Sequence, residues 1–412
     1  MLELWFLTVQ LHGLQRLSPL YPLVILGTTF VVFAKEVRWR IERRAFLWIA
    51  ANLGILAYVL LIDLYASREL ATPNNIVRVS TPFVIAIIMA FSVRSISNVA
   101  KLSVVYLIVV LLGAGSMYYQ VVFGAVSWFA DSSERAGVTR FASLLGSLTI
   151  FGTAAPFAYL CLARYVRSAA WFAVGALVLI VAAMLSLQKA ALLGMMIAGP
   201  FSLALISRRA LLVTAAVTLV AIGTVSALIP PEYQQYVDAT VQYFFRPSVE
   251  SDDFSISESI AQRVLALPAE VIDSVGWRAM ITGVGLRGAG GVFGFDNLPM
   301  AHNGIVDYLA VGGLPFATYG LCIVLWLMRF VVRVPLAVRR NVLKREDAYF
   351  LCGMAVLYVA NLPMSSGLQF QPNTSWVFGM LIAFDMALRN ALRNQDSRTT
   401  AHASSSTFQV SY

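Results

Sequence analysis

The stretch 169–206, AAWFAVGALVLIVAAMLSLQKAALLGMMIAGPFSLALI, decides the class of fold that is available to this chain. It contains two apolar runs, 169–187 and 190–206, which a short polar turn around Lys189 separates. A helix needs roughly 20 apolar residues to cross the hydrocarbon core of a bilayer. Both runs come close to that length, so the stretch predicts two membrane-spanning helices joined by a tight hairpin.

Runs of the same kind recur along the whole sequence. Hydrophobic residues make up 59% of the chain and charged residues 12%, whereas a soluble domain is typically about one quarter charged. The stretch 2–14 is shorter and predicts either a further span or a helix on the membrane surface. The pattern predicts an all-α, polytopic integral membrane protein with eleven or twelve transmembrane helices, eleven of them at 18–35, 45–64, 79–93, 102–123, 141–163, 169–187, 190–206, 210–229, 304–328, 347–362 and 374–391.

The distribution of Lys and Arg predicts the orientation of these spans. Twenty of the 30 basic residues fall in one alternate set of loops, which includes 35–44 and 329–345, and nine fall in the opposite set, which includes 230–302. Because basic loops are retained in the cytoplasm, the first set is expected there and the long loop 230–302 in the periplasm. The net charge of +9 is then a topological signal. No basic face with interleaved aromatic residues indicates a nucleic-acid partner.

The chain is expected to form one integral membrane domain, 1–393, with the periplasmic loop 230–302 inserted, followed by a cytoplasmic tail, 394–412. The tail is rich in Ser, Thr and Gln, a composition that predicts disorder. The first apolar run lacks the basic region and cleavage site of a signal peptide, so the mature chain is expected to start at Met1. The three cysteines lie in predicted spans without metal-ligand spacing, which favours buried structural thiols.

The long loop is expected to be helical. Aromatic and apolar residues at helical spacing in 233–245 predict an amphipathic helix at the lipid surface. A capping box at 255–258 opens a second helix, in which Arg263 lies beside an apolar stripe and Pro268 introduces a kink. The segment 283–288 fits the pattern G-x-G-x-x-G, but a helix rather than a strand precedes it. It is therefore interpreted as a flexible turn and not as a nucleotide site.

Polar side chains that could do chemistry gather where the long loop meets the span 304–328. His302 carries an imidazole that can accept a proton near neutral pH, and the alternative is an interfacial histidine satisfied by water. Asn303 and Asp307 are four residues apart and share one face of a helix. Because an acidic side chain that faces lipid would be costly, Asp307 is expected to face the protein interior.

Several basic residues on the same side of the membrane could bind a phosphate group. Lys189 in the outer hairpin, Arg140 before the span 141–163 and Arg263 in the long loop are the main candidates. Arg278 and Arg287 are expected to support the site or to be solvated. The alternatives are a lysine that snorkels to the interface and arginines that anchor a helix there. No His, Asp or Glu cluster at metal-ligand spacing occurs in the sequence, so neither a metal nor a cofactor is expected.

These segments resemble the O-antigen ligase and polymerase family. The segments 301–309 and 312–316 are similar to the family signature, which has His-Asn, an acidic residue one turn later, and Gly-Leu inside a span. Arg263 followed by 283–285 resembles the loop arginine and the Gly-x-Gly of the family. These patches cover a small part of the chain, whereas the similarity in topology covers nearly all of it.

Two further patches resemble the family less closely. The segment 186–192 is similar to the Ser-x-Arg-Gly hairpin of the family, with Lys189 in place of the arginine, so it can act only as a point charge. The segment 140–146 is similar to a region where the family carries another arginine. The Pro-Asn expected after Arg140 is absent from it.

The resemblance implies a membrane glycosyltransferase of the GT-C superfamily in the bacterial inner membrane. Its donor is a glycan on undecaprenyl diphosphate, and it needs neither a metal nor a nucleotide sugar. His302 is expected to be the general base, and Arg140, Lys189 and Arg263 are expected to surround the diphosphate, with inversion at the anomeric carbon.

The resemblance leaves the acceptor open. A ligase passes the glycan to lipid A–core, whereas an O-antigen or exopolysaccharide polymerase passes it to another lipid-linked repeat unit. A ligase is favoured because only the loop 230–302 is long. The third alternative is a transporter or flippase, which would predict an internal repeat, interrupted spans and charges near the bilayer midplane.

Overall fold

The computed structural model describes most of the chain. The described residues are 2–11, 14, 20–36, 43–67, 73–93, 95–126, 133–135, 138–146, 150–228, 238, 265, 267–285, 304–362 and 372–407. The predicted amphipathic helix at 233–245 apart from residue 238, the capping box at 255–258 and most of the long loop lie outside these residues.

The fold is all-α, as predicted, apart from one short antiparallel hairpin. Its elements before the long loop are α1 Leu2–Gln10, α2 Tyr21–Glu36, α3 Arg43–Ser67, α4 Pro73–Ser92, α5 Ile96–Phe123, β1 Ser133–Arg135, β2 Val138–Arg140, α6 Ile150–Tyr165, α7 Ala169–Leu185, α8 Lys189–Leu205 and α9 Arg208–Leu228. After them come α10 Leu267–Thr282, α11 Gly304–Arg339, α12 Arg345–Asn361 and α13 Pro372–Thr407.

The helices form one packed bundle. Helix α6 packs against α8 and α5, α12 packs against α8 and α11, and α13 packs against α4. An aromatic cluster lies in the core. The ring of Trp376 in α13 contacts Tyr106 of α5 and Phe6 of α1, with ring centroids 4.8 and 5.3 Å apart. The burial of these large rings ties both ends of the described chain to the middle of the bundle.

Helix α1 differs from both forms expected of the stretch 2–14. It has nine residues, or about 14 Å of helix, and is therefore too short to cross a bilayer. It does not lie on the surface either, because Trp5 and Phe6 are fully buried and the indole of Trp5 donates a hydrogen bond to Thr29 Oγ1, 2.9 Å away. Its buried apolar residues, Leu2, Trp5, Phe6 and Val9, belong to the core of the bundle.

The helix predicted from residue 141 begins later, at Ile150 of α6. The preceding residues form the β hairpin and a tight turn, in which Ser143 and Gly146 make an antiparallel bridge. Side chains of α5 hold this turn in place. Gln120 Nε2 donates to Ala142 O at 2.7 Å, and Ser116 Oγ accepts from Leu144 N at 3.1 Å. These tertiary hydrogen bonds compete with helix formation in a segment that is apolar enough for a span.

Helix α13 continues to Thr407, so a helix covers most of the tail 394–412 that its composition predicted to be disordered. The segment 391–395 contains Ala, Leu, Arg and Gln, which are good helix formers. Addition of residues to an existing helix is far more favourable than nucleation of a new one. The apolar part of α13 therefore lets the helix propagate into a polar sequence.

Two helices in the described part of the chain, α5 and α11, are long and apolar enough to cross a membrane. Shorter apolar segments occur within α2, α3, α4, α7 and α8. Composition and length thus suggest that the protein associates with a membrane.

Candidate functional site

Arg140, one of the three proposed phosphate ligands, lies at the end of β2 and contacts the hairpin between α7 and α8. Its side chain is largely buried, and Nε donates a hydrogen bond to the carbonyl oxygen of Ser186 at 3.1 Å. Ser186 is the residue that ends α7, and Lys189 begins α8. The fold therefore brings together two segments that the sequence analysis had identified separately and that lie 46 residues apart in the chain.

The hairpin between α7 and α8 has a defined backbone geometry. Leu187 adopts a positive φ of 48°, and its N–H bonds to Met184 O at 2.9 Å. The buried side chain of Gln188 lies directly against α6, because a Cβ added to Gly152 would meet Gln188 Oε1 at 1.6 Å. The small size of Gly152 leaves room for this side chain beside the start of α8, the helix that Lys189 opens.

The second part of the candidate site is an interruption in α11. Gly312 and Gly313 have non-helical backbone angles, with φ, ψ of −128°, 16° and 60°, −158°. In a continuous helix residues 308 and 320 would lie about 18 Å apart. Instead, a Cβ on Gly320 would lie 2.6 Å from Cδ2 of Tyr308. The arm 304–311 therefore folds back on the arm 314–339. This result corrects the prediction of one continuous span at 304–328.

Residues at the end of α10 pack against the bend between these two arms. A Cβ on Gly283 would lie 2.4 Å from Val311 O, and one on Gly313 would lie 2.3 Å from Ile281 O. The N–H of Val284 also donates to Ala310 O at 2.8 Å. Both glycines have positive φ. The Gly-x-Gly at 283–285 thus makes a close backbone contact with the Gly-Gly of α11. The sequence had predicted that this Gly-x-Gly forms a flexible turn.

Asp307 lies in the folded-back arm and is 1% exposed. This burial agrees with the expectation that it faces the protein interior. The ring of Tyr308 stacks on Phe316 with centroids 4.5 Å apart, and Tyr319 donates a hydrogen bond to Asn52 of α3. A buried acidic residue thus lies in the same short arm as Tyr308, whose ring packs across the bend.

Of the remaining candidate residues, only Arg278 is among those that the structure describes. The guanidinium of Arg278 lies over the ring of Trp277 at 5.4 Å, and both residues are exposed on α10; the supporting role of Arg278 stays a prediction. His302, Asn303, Arg263 and Arg287 lie outside the described residues, and their expected roles stay predictions. Among the described residues, no group of three or more His, Cys, Asp or Glu side chains could hold a metal ion.

Sequence reasoning missed two features that shape the site. One is the interruption of α11, which Gly312-Gly313 followed by Pro315 could have indicated, since proline favours the first turn of a new helix. The other is the role of Ser116 and Gln120 of α5, which fix the turn after Arg140. No local signal marks these two side chains, because their partners are distant in sequence.

No protein-family model matches this chain, and no curated protein matches it. The chemistry of the site therefore has to be inferred from its residues.

Proposed function

We propose that the protein is a multi-pass inner-membrane glycosyltransferase of the O-antigen ligase type. It would transfer a glycan from undecaprenyl diphosphate to a hydroxyl of lipid A–core at the periplasmic face, without a metal. The observation that carries this proposal is the hydrogen bond from Arg140 Nε to Ser186 O. It brings one predicted phosphate ligand to the hairpin that supplies another, Lys189.

Contacts between helix ends support the multi-pass topology. Arg164 at the end of α6 pairs with Asp347 at the start of α12, with 2.7 Å between Nη2 and Oδ1. The charge pattern of the sequence assigns both ends to the cytoplasm. Arg140 and Ser186, which also meet, are both assigned to the opposite side. The pairs thus respect the predicted sides.

Exposed aromatic residues near helix ends support the same topology. Tyr65 near the end of α3 and Phe123 at the end of α5 are highly exposed, as is Trp171 near the start of α7. The first two are assigned to the periplasmic side and the third to the cytoplasmic side. Trp and Tyr side chains are enriched at both interfaces of a membrane, and an exposed Phe suits the adjacent hydrocarbon. In water such rings would be costly to expose, whereas in a bilayer they contact lipid.

The proposed reaction is a displacement at the anomeric carbon. The acceptor hydroxyl oxygen forms a bond to that carbon, and His302 takes the hydroxyl proton. The bond from the anomeric carbon to the diphosphate oxygen breaks, and undecaprenyl diphosphate leaves with the electron pair. Arg140, Lys189 and Arg263 would balance the charge that grows on the leaving group, and loss of one such contact typically lowers the rate by about 10²–10³.

The test is a transfer assay with the purified full chain, a defined undecaprenyl-diphosphate glycan and lipid A–core. His302→Ala should lower the rate by about 10²–10⁴, the usual contribution of a general base. Arg263→Lys keeps the charge but loses the bidentate geometry, so it should also be slower. Wild-type transfer by His302→Ala would refute the assignment of the base, and transfer that stops on chelation of metals would refute the metal-independent mechanism.

The product separates a ligase from a polymerase, which remains the alternative within the same family. Deletion of the gene in cells should remove all lipid A-linked glycan chains if the protein is a ligase. Chains of a single repeat unit would instead indicate a polymerase. Both outcomes are read from surface glycans on a gel.

A transporter or flippase is favoured by one specific observation, which is the interruption of α11 beside the buried Asp307. Broken helices with an ionisable residue inside the membrane are common in secondary transporters. Transfer of glycan between lipids by the purified protein in detergent, where no compartments exist, would exclude transport as the sole activity. Movement of the lipid-linked glycan across liposomes without transfer would overturn the enzyme proposal.

A further inference from the structure

A cluster of charged side chains joins α11 to α13 at the end opposite to the candidate site. Asp385 of α13 is buried, and its Oδ2 accepts hydrogen bonds from Trp326 Nε1 at 2.8 Å and pairs with Arg389 Nη2 at 2.5 Å. Arg333 of α11 pairs with the other oxygen, Oδ1. Two guanidinium groups therefore share one carboxylate, and these three charged side chains carry an excess positive charge.

The donors in this cluster outnumber the acceptors that the carboxylate offers. Each guanidinium has five N–H donors, whereas Asp385 supplies two oxygen atoms. Arg389 Nε is buried and has no hydrogen-bond partner among the described residues. The side chains of Arg333 and Arg389 are 24% and 27% exposed, so a ligand could reach them. Because Asp385 already orients both, little side-chain entropy would be lost when an anion binds.

Apolar surface borders the cluster. The indole of Trp326 packs edge-on against Phe378 of α13, with centroids 5.8 Å apart. Leu325 and Val332, on the outer surface of α11, are both exposed. An acyl chain could lie along this face of α11, with its headgroup at the arginines. A free anion would make no use of the apolar part.

We infer that the cluster of Arg333, Asp385 and Arg389 binds the phosphate of an anionic phospholipid from the cytoplasmic leaflet. Basic pockets between helices on the cytoplasmic side suit such headgroups. The inference rests on the membrane topology proposed above but not on the glycosyl transfer. The lipid would hold α11 and α13 together at one end, while the Gly283 contact holds α11 at the other.

Binding can be measured by native mass spectrometry of the full chain in an uncharged detergent, with phosphatidylglycerol, phosphatidylcholine or inorganic phosphate as the probe. Phosphatidylglycerol should bind more tightly than phosphatidylcholine, and salt should weaken it. Arg389→Gln should lower its affinity about tenfold, the typical effect of one charge-assisted hydrogen bond. Arg389→Lys should keep most of the affinity. Arg167→Gln, which removes an exposed arginine elsewhere on the same predicted side, should have no effect.

Three results would overturn the inference. One is equal affinity of Arg389→Gln and the wild type for phosphatidylglycerol. Another is binding of inorganic phosphate as tight as that of the lipid and equally dependent on Arg389, which would indicate a free anion. If Arg389→Gln does not fold, affinity of the wild type that does not change with salt would be decisive against it. Glycosyl transfer is not measured here, so failure of the lipid site is distinguishable from failure of the proposed enzyme.

Discussion

Replacement of Gly313 by alanine should strongly destabilise the protein, because this residue forms the bend of α11 and contacts the end of α10. The Cβ of the alanine would lie 2.3 Å from Ile281 O and 2.7 Å from Gly283 N. Both are backbone atoms, so neither can move away by a change of side-chain rotamer. The alanine would also have to adopt φ of 60° and ψ of −158°, a region that is essentially restricted to glycine.

These two effects give the expected magnitude. Backbone strain in such a region costs about 1–3 kcal/mol, and overpacking of a tight contact costs about 1–3 kcal/mol. Gly313→Ala should therefore lower the free energy of unfolding by about 2–6 kcal/mol, depending on how far the arms of α11 separate to relieve the contact.

The free energy of unfolding can be measured by titration of the purified protein with a denaturing detergent in mixed micelles. Gly115→Ala in α5 is the matched control, because no atom lies within 4 Å of its added Cβ. In a helix interior that change should be neutral or stabilise by up to about 1 kcal/mol. If Gly313→Ala is as stable as Gly115→Ala, then α11 does not fold back at Gly313 in the way described.

Two other contacts give predictions of known direction. Arg164→Ala leaves the buried carboxylate of Asp347 without its 2.7 Å partner and should cost about 3 kcal/mol, whereas Arg167→Ala, at an exposed position, should change stability by less than about 0.5 kcal/mol. Equal unfolding of these two variants would contradict the ion pair. Gln120→Leu loses the hydrogen bond to Ala142 O and should lower the free energy of unfolding by about 1–3 kcal/mol. Unchanged stability would argue against this contact. If the turn after Arg140 positions a ligand, the variant should also be slower in the transfer assay.

The positions of most helices could be predicted because long apolar runs fix them locally. The helices α7 and α8 begin and end within two residues of the runs at 169–187 and 190–206. The short polar turn between them marks the boundary. Burial of Asp307 could also be predicted, because an acidic side chain in an apolar helix is costly when it faces lipid.

The break in α11 could not be predicted from hydropathy, because its cause is a contact with residues in another part of the chain. Gly312-Gly313 lies inside an apolar run that is long enough to continue as a helix. The bend is packed against Gly283 and Val284, which belong to the segment 230–302. Only the pair of glycines just before Pro315 carried a local signal, and a count of apolar residues does not register it.

The candidate site was predictable as a set of segments but not as a geometry. The sequence singled out Arg140 and the hairpin at Lys189 separately, on charge and resemblance. Their contact depends on the β hairpin and on a turn that hydrogen bonds to α5, in a stretch that hydropathy assigned to a span. Residue type thus suggested which segments to compare, whereas tertiary hydrogen bonds determined which residues meet.

The packing of Phe6 and Trp376 has a consequence for biogenesis. Most of the chain separates α1 from α13 in sequence, so α1 is synthesised much earlier, yet its Phe6 packs against Trp376 of that late helix. Until α13 emerges from the ribosome, α1 can pack against α2 and α5, but the face of Phe6 that contacts Trp376 stays uncovered. A protein shortened at its carboxyl end would therefore leave that part of its earliest helix exposed.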